Sequence, residues 1–182
     1  MIGLFIGSFN PPTMAHINIC LKLENDFSKI VLVPVNSNDK ELIDLKTRID
    51  MLNIIKNKYP FLEISEIMKD YSYLNYRIVD LLNEEYHSIN IIMGSDLLEK
   101  FTSFDNYEYL LDKYNYTIIP RNMDVNKLIN EKYLKYKDKF RILDYQSDIS
   151  STLVRKYLKE NKDLESLLDN DILKFVKKNH LY

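Results

Sequence analysis

The chain has 182 residues, of which 46% are hydrophobic and 29% charged, and its formal net charge is -2. That length and apolar fraction suit one globular unit with a continuous core, while the near-neutral charge excludes general attraction to nucleic acid or to an anionic membrane. The lone cysteine, Cys20, excludes an intramolecular disulfide; with no apolar stretch of membrane length and no signal-peptide pattern, the expected location is the cytoplasm.

In chain order, an apolar run at 2–6 predicts a buried first strand, followed by a helix over 15–25. A strand at 29–35 leads to a helix at 45–58, where Ile49, Leu52 and Ile55 recur at helical spacing. Next come a strand at 61–67, a helix at 73–85, a strand at 89–93 and two helices at 95–101 and 107–114. The pattern closes with a strand at 116–119, a helix at 125–137, a strand at 140–143 and helices at 151–160 and 171–179. Strand, helix, strand in succession implies parallel pairing through right-handed crossovers, hence an α/β doubly wound parallel sheet. We expect one domain over 1–182, with its core ending near 158 and a helical segment after it. The lysine-rich stretch 127–139 is interleaved with Leu128, Ile129, Tyr133, Leu134 and Tyr136, the pattern of a solvated helix.

The first strand runs directly into GSFNPPTMAH, Gly7 to His16, which holds one of the three glycines of the chain and two of its five prolines. In an open α/β sheet this turn lies at the carboxyl edge, where ligands bind, and the following helix points its positive end there. The three glycines, Gly3, Gly7 and Gly94, are not spaced as a G-x-G-x-x-G fingerprint or a P-loop, so binding of a preformed dinucleotide is disfavoured. Thr13 and His16 instead sit three residues apart at a helix start, where both can donate to phosphate oxygens; taken alone, His16 also fits a surface or capping residue. A second segment, ISSTLVR at 149–155, precedes an apolar helical run. Serines there are commonly N-caps. Three consecutive hydroxyls exceed what a cap needs, however, and Arg155 returns to the face of Ser151 with a planar fork suited to polyphosphate.

These segments resemble a known family. GSFNPPTMAH is similar to the (H/T)-x-x-H signature of the nucleotidyltransferase superfamily, and ISSTLVR to its ISST-x-x-R signature. MGSD at Met93 to Asp96 resembles the G-x-D of nicotinate and nicotinamide mononucleotide adenylyltransferases, with Lys40, TRIDML at 47–52 and SYLNYRIVDLL at 72–82 matching in order. The resemblance implies a Rossmann-like sheet and transfer of adenylyl from ATP to a pyridine mononucleotide, with Mg²⁺ entering on ATP and no metal ligands from the protein. It implies that Gly7, Ser8 and Phe9 line the junction of the two substrates and that Thr13 and His16 contact the ATP phosphates, His16 being most tied to catalysis. Ser150, Ser151, Thr152 and Arg155 would hold the β and γ phosphates, Lys40 and Arg48 would add positive charge, and Gly94 and Asp96 would meet the adenosine ribose. Arg121 would neutralise part of the acceptor.

Departures from the family pattern gather around the acceptor. The chain has no tryptophan where the nicotinate enzymes often place one eight residues past the aspartate; Phe104 stands there, with Tyr107 near it, and either stacks on a pyridine or packs as an ordinary aromatic. Leu74 replaces a common threonine. Nicotinate mononucleotide is the leading acceptor; nicotinamide mononucleotide, phosphopantetheine, FMN and a cytidylyl acceptor are alternatives, as is a nucleotide-binding sensor without turnover. Many relatives form homo-oligomers, which the apolar pattern here neither requires nor locates. A lid over 36–43 is a further expectation. Cys20 reads as a small core residue, and neither His87 nor His180 has a functional context.

Overall fold

The computed structural model describes residues 1–36 and 42–182. Six strands form one parallel sheet: Ile2–Gly7 (β1), Lys29–Pro34 (β2), Leu62–Ile64 (β3), Ile89–Gly94 (β4), Asn115–Ile119 (β5) and Phe140–Ile142 (β6), in the order β3-β2-β1-β4-β5-β6. The order reverses between β1 and β4, and the doubly wound expectation is met. A reversal of this kind opens a crevice beyond the carboxyl ends of the two strands, because their crossovers leave in opposite directions.

Alternation along the strands sends side chains to two cores. Leu4, Ile6, Val31, Ile91 and Ile118 pack against Tyr76–Tyr86 (α3), Tyr107–Lys113 (α5) and Val125–Lys132 (α6). Phe5, Leu32, Ile92 and Ile119 face Met14–Leu23 (α1), Leu45–Lys56 (α2), Ser151–Lys159 (α7) and Asn170–Lys178 (α8). Ile49, Leu52 and Ile55 of α2 are buried as their spacing predicts. Leu164, Leu168, Ile172 and Val176 share a core with α1 and α2, and Met14 N–H donates to Leu167 O across 2.9 Å. Among the described residues no helix is long and apolar enough to cross a membrane.

Three boundaries differ from expectation by three residues or more. The helix predicted from 73 starts at Tyr76, because the Asn75 side chain accepts the N–H groups of Arg77 and Ile78 at 3.0 and 3.3 Å and caps it there. The strand predicted over 61–67 stops at Ile64, and Ile67–Lys69 forms a 3-10 turn. The helix predicted to run to 137 ends at Lys132, where Tyr133 turns inward, buried, and donates its hydroxyl to Leu98 O at 2.7 Å. A long-range contact overrides helical periodicity there.

Candidate active site

The crevice between β1 and β4 is a cleft of about 480 Å³. One wall is the turn after β1, with Gly7, Ser8, Phe9 and His16. Gly94, Asp96 and Arg121 form the floor at the ends of β4 and β5, and Ser150, Ser151, Thr152 and Arg155 form the rim at the start of α7. Leu74 and Phe104 line the far end. Two segments some 140 residues apart therefore face one space; Ser151 Oγ donates to Pro11 O at 2.8 Å and Arg155 Nη1 to Asn10 O at 2.7 Å.

His16 is set by its own helix. Thr13 is the N-cap of α1 and His16 the N3 residue, whose ring reaches back to accept the Thr13 backbone N–H at Nδ1, 3.0 Å away. Glu or Gln has this part in a standard capping box. A backbone N–H only donates, so Nδ1 must be the unprotonated nitrogen and Nε2 carries the proton. Burial, aided by the Arg121 guanidinium, pushes the imidazole pKa down to about 3. The ring is thus a neutral donor held against Phe9, with ring centroids 5.1 Å apart. Phe9 itself is buried with φ of 49°, an uncommon backbone for a bulky residue that turns the chain sharply after Ser8.

Thr13 and Arg48 depart from their expected places. Thr13 is fully buried and is not among the residues that line the cleft, and its hydroxyl lies 2.9 Å from His16 Nδ1, where it orients the imidazole. Arg48 is fully buried as well. Its guanidinium donates to Ser8 O and Val35 O at 2.8 Å, Ile43 O at 3.1 Å and Asn36 Oδ1 at 2.5 Å, which occupies four of its five N–H groups. The cation ties the turn after β1 to the end of β2; an arginine inside an amphipathic helix pattern carries no sign of this. Lys40, and most of the predicted lid, lie outside the described residues.

The turn is braced from further directions that sequence reading missed. Asn10, which is buried, accepts the Ile43 N–H at 3.3 Å and the Tyr182 hydroxyl at 2.9 Å through Oδ1. Asn10 lies inside the motif and was within reach; Tyr182, 172 residues away, had no local signal. At the floor, buried Ser95 accepts the Arg121 N–H at 2.9 Å, which places Arg121 beside Asp96 in an ion pair of 3.5 Å. A β-carbon on Gly94 would run into the Asp96 carboxylate and come within 2.9 Å of Arg121 Nε, so the glycine keeps room for both. At the rim, the hydroxyls have partners inside the protein: Ser150 Oγ caps α7 by accepting Leu153 N–H at 3.1 Å, and Thr152 Oγ1 lies 3.2 Å from Arg155 Nη2. What α7 still offers the cleft is its positive end and a guanidinium.

The model of the cytidylyltransferase-like family matches residues 4–157. Over 128 aligned positions the chain is 30% identical to a probable nicotinate-nucleotide adenylyltransferase of Acholeplasma laidlawii, covering 67% of this chain and 68% of that one. The chain belongs to the cytidylyltransferase-like family, in its nicotinate-nucleotide adenylyltransferase branch. A probable nicotinate-nucleotide adenylyltransferase of Flavobacterium johnsoniae is 29% identical over 191 aligned positions, spanning 100% of this family member and 98% of the relative. The fold is that of the Plasmodium falciparum nicotinic acid mononucleotide adenylyltransferase complexed with NaAD, with a TM-score of 0.82, 23% identity and coverage of 100% and 96%.

Proposed function

We propose that this adenylyltransferase joins ATP to nicotinate mononucleotide, giving the deamido-NAD dinucleotide and pyrophosphate. The observation that carries the reading is that the neutral Nε2–H face of His16 and the Arg155 fork share one cleft at the switch point of the sheet. An oxygen of the acceptor phosphate attacks the α-phosphorus of ATP, and the bond from that phosphorus to the bridging oxygen breaks, so the departing electrons end on pyrophosphate. The protein supplies no nucleophile; alignment and charge stabilisation lower the barrier.

In this reading His16 donates through Nε2 to oxygens at the α-phosphate as a neutral hydrogen-bond donor. Arg155 and the first turn of α7 hold the β and γ phosphates, Gly7 to Phe9 border the reacting groups, and Asp96 accepts from ribose hydroxyls. Phe104 and Leu74 border the pyridine. No cluster of three metal-ligating side chains occurs among the described residues, and the cleft wall is rich in donors, so Mg²⁺ fits only on the triphosphate oxygens with its own waters. Bound there, it would neutralise phosphate charge. We place the reaction in the cytoplasm, consistent with the free, buried thiol of Cys20.

A pyrophosphate-release assay with ATP or CTP against nicotinate mononucleotide, nicotinamide mononucleotide, phosphopantetheine and FMN tests the proposal. Release with ATP and nicotinate mononucleotide supports it. Release only with another acceptor, or with none, overturns it, the last outcome indicating a sensor.

A further inference from the structure

The far end of the cleft contains a cation that the reaction as described does not use. Lys100 follows Ser95–Glu99 (α4), lines the cleft and is exposed, and among the described residues it enters no ion pair. The two guanidinium groups of the cleft have protein partners: Arg121 pairs with Asp96 at 3.5 Å and Arg155 donates to Asn10 O at 2.7 Å.

The backbone around Lys100 is held firmly. Its carbonyl accepts both the Ser103 N–H, at 3.0 Å, and the Ser103 hydroxyl, at 2.7 Å, closing the 3-10 turn Phe101–Ser103. Lys132 Nζ donates to the neighbouring Glu99 O at 3.1 Å. The same turn delivers Phe104, whose ring packs on Phe101 with centroids 5.3 Å apart. An aromatic ring and an ammonium therefore border the same end of the cleft, which Leu74 and Leu97 also line.

A flat aromatic acid matches both features of that end, and the corresponding amide matches only the ring. The two ends of a pyridine mononucleotide are also distinguishable: its phosphate must reach the turn after β1, near His16, which leaves the ring substituent at the opposite end of the molecule. We infer that Lys100 is a specificity-determining residue that pairs with the ring carboxylate of the acceptor and selects the acid over the amide. This inference rests on the adenylyl transfer proposed above. The two candidate acceptors differ by one charge at one position and are otherwise nearly the same shape, so discrimination by shape alone would be weak.

The test compares kcat/KM for nicotinate and nicotinamide mononucleotide, at fixed saturating ATP, in the parent enzyme, Lys100→Gln and Lys100→Arg. The parent prefers the acid; in Lys100→Gln the acid-to-amide ratio falls about tenfold, through KM for the acid, and Lys100→Arg restores most of it. An unchanged ratio in Lys100→Gln, an equal loss with both acceptors, or a parent enzyme that prefers the amide overturns the inference while leaving adenylyl transfer standing. A parent enzyme that uses neither acceptor removes the underlying reaction and the inference with it. Lys100 is exposed, so the variants are expected to fold, and an unchanged KM for ATP verifies that the rest of the cleft is intact.

Discussion

The Thr13 backbone N–H points at Nδ1 of His16 across 3.0 Å, and this single contact decides which imidazole nitrogen faces the cleft. With burial holding the pKa near about 3, the ring stays neutral throughout the physiological range. In a proton NMR titration the His16 resonances will not change above pH 5. A His16 midpoint near 6.5 would contradict the burial that keeps the ring neutral. The stability consequence has a definite sign. An unfolded histidine takes up its proton below about 6.5, whereas the folded one does so only near about 3, so this residue makes the fold progressively less stable as pH drops from 6.5 toward 3. His16→Ala will lower kcat by about 10² to 10³, or roughly 3 to 4 kcal/mol, without loss of fold.

Arg48 is a buried cation surrounded by carbonyl-type oxygens, and removing it strands four acceptors. Arg48→Met is expected to cost about 3 kcal/mol in urea denaturation, since each buried group left unpaired costs on the order of 1 to 3 kcal/mol and water recovers part of that. Arg48→Lys will rescue little, because an ammonium cannot span the geometry of the fork. Near-parental stability in the lysine variant would mean that the charge, and not the shape, holds the turn after β1.

Gly94 has an ordinary φ of -71°, so alanine there meets no backbone strain and its effect is one of space alone. Gly94→Ala will displace Asp96 and Arg121, raising KM for ATP about tenfold or more while leaving the melting temperature within a few degrees of the parent. A variant with unaltered KM would remove Asp96 from the ATP pocket.

Tyr182 reaches the turn after β1 from the far end of the sequence. Tyr182→Phe deletes the donor to Asn10 Oδ1 and nothing else of comparable size. Loss of one hydrogen bond of about 1 kcal/mol should appear as a rise of several-fold in KM for ATP, with kcat little changed. A fall in kcat with KM unchanged would place the effect elsewhere.

The Cys20 thiol is buried and its pKa is pushed up to about 12, so little thiolate forms near neutrality. The native protein should not react with a disulfide reagent at pH 8, and one equivalent should react after unfolding in urea. Rapid reaction of the native state would show that the packing of α1 against the sheet opens readily.

The alternation of strand-length apolar runs with amphipathic stretches was enough to give six parallel strands and their helices, because burial of both sheet faces leaves continuous apolar runs and burial of one helix face leaves a 3.6-residue period. The motifs ending in His16 and Arg155 were equally plain, since a turn at a strand end followed by a helix start is a local event. What each polar side chain does with its hydrogens was decided only in three dimensions. Thr13, Arg48 and Ser151 have the residue types of phosphate ligands, yet their polar groups are taken up by His16, by the turn after β1 and by Pro11. Those partners are settled by packing, which brings together positions 40 and 140 residues apart that no local pattern relates. The physical reason is that a buried polar group must find some partner, and the nearest one depends on how the layers close around the sheet.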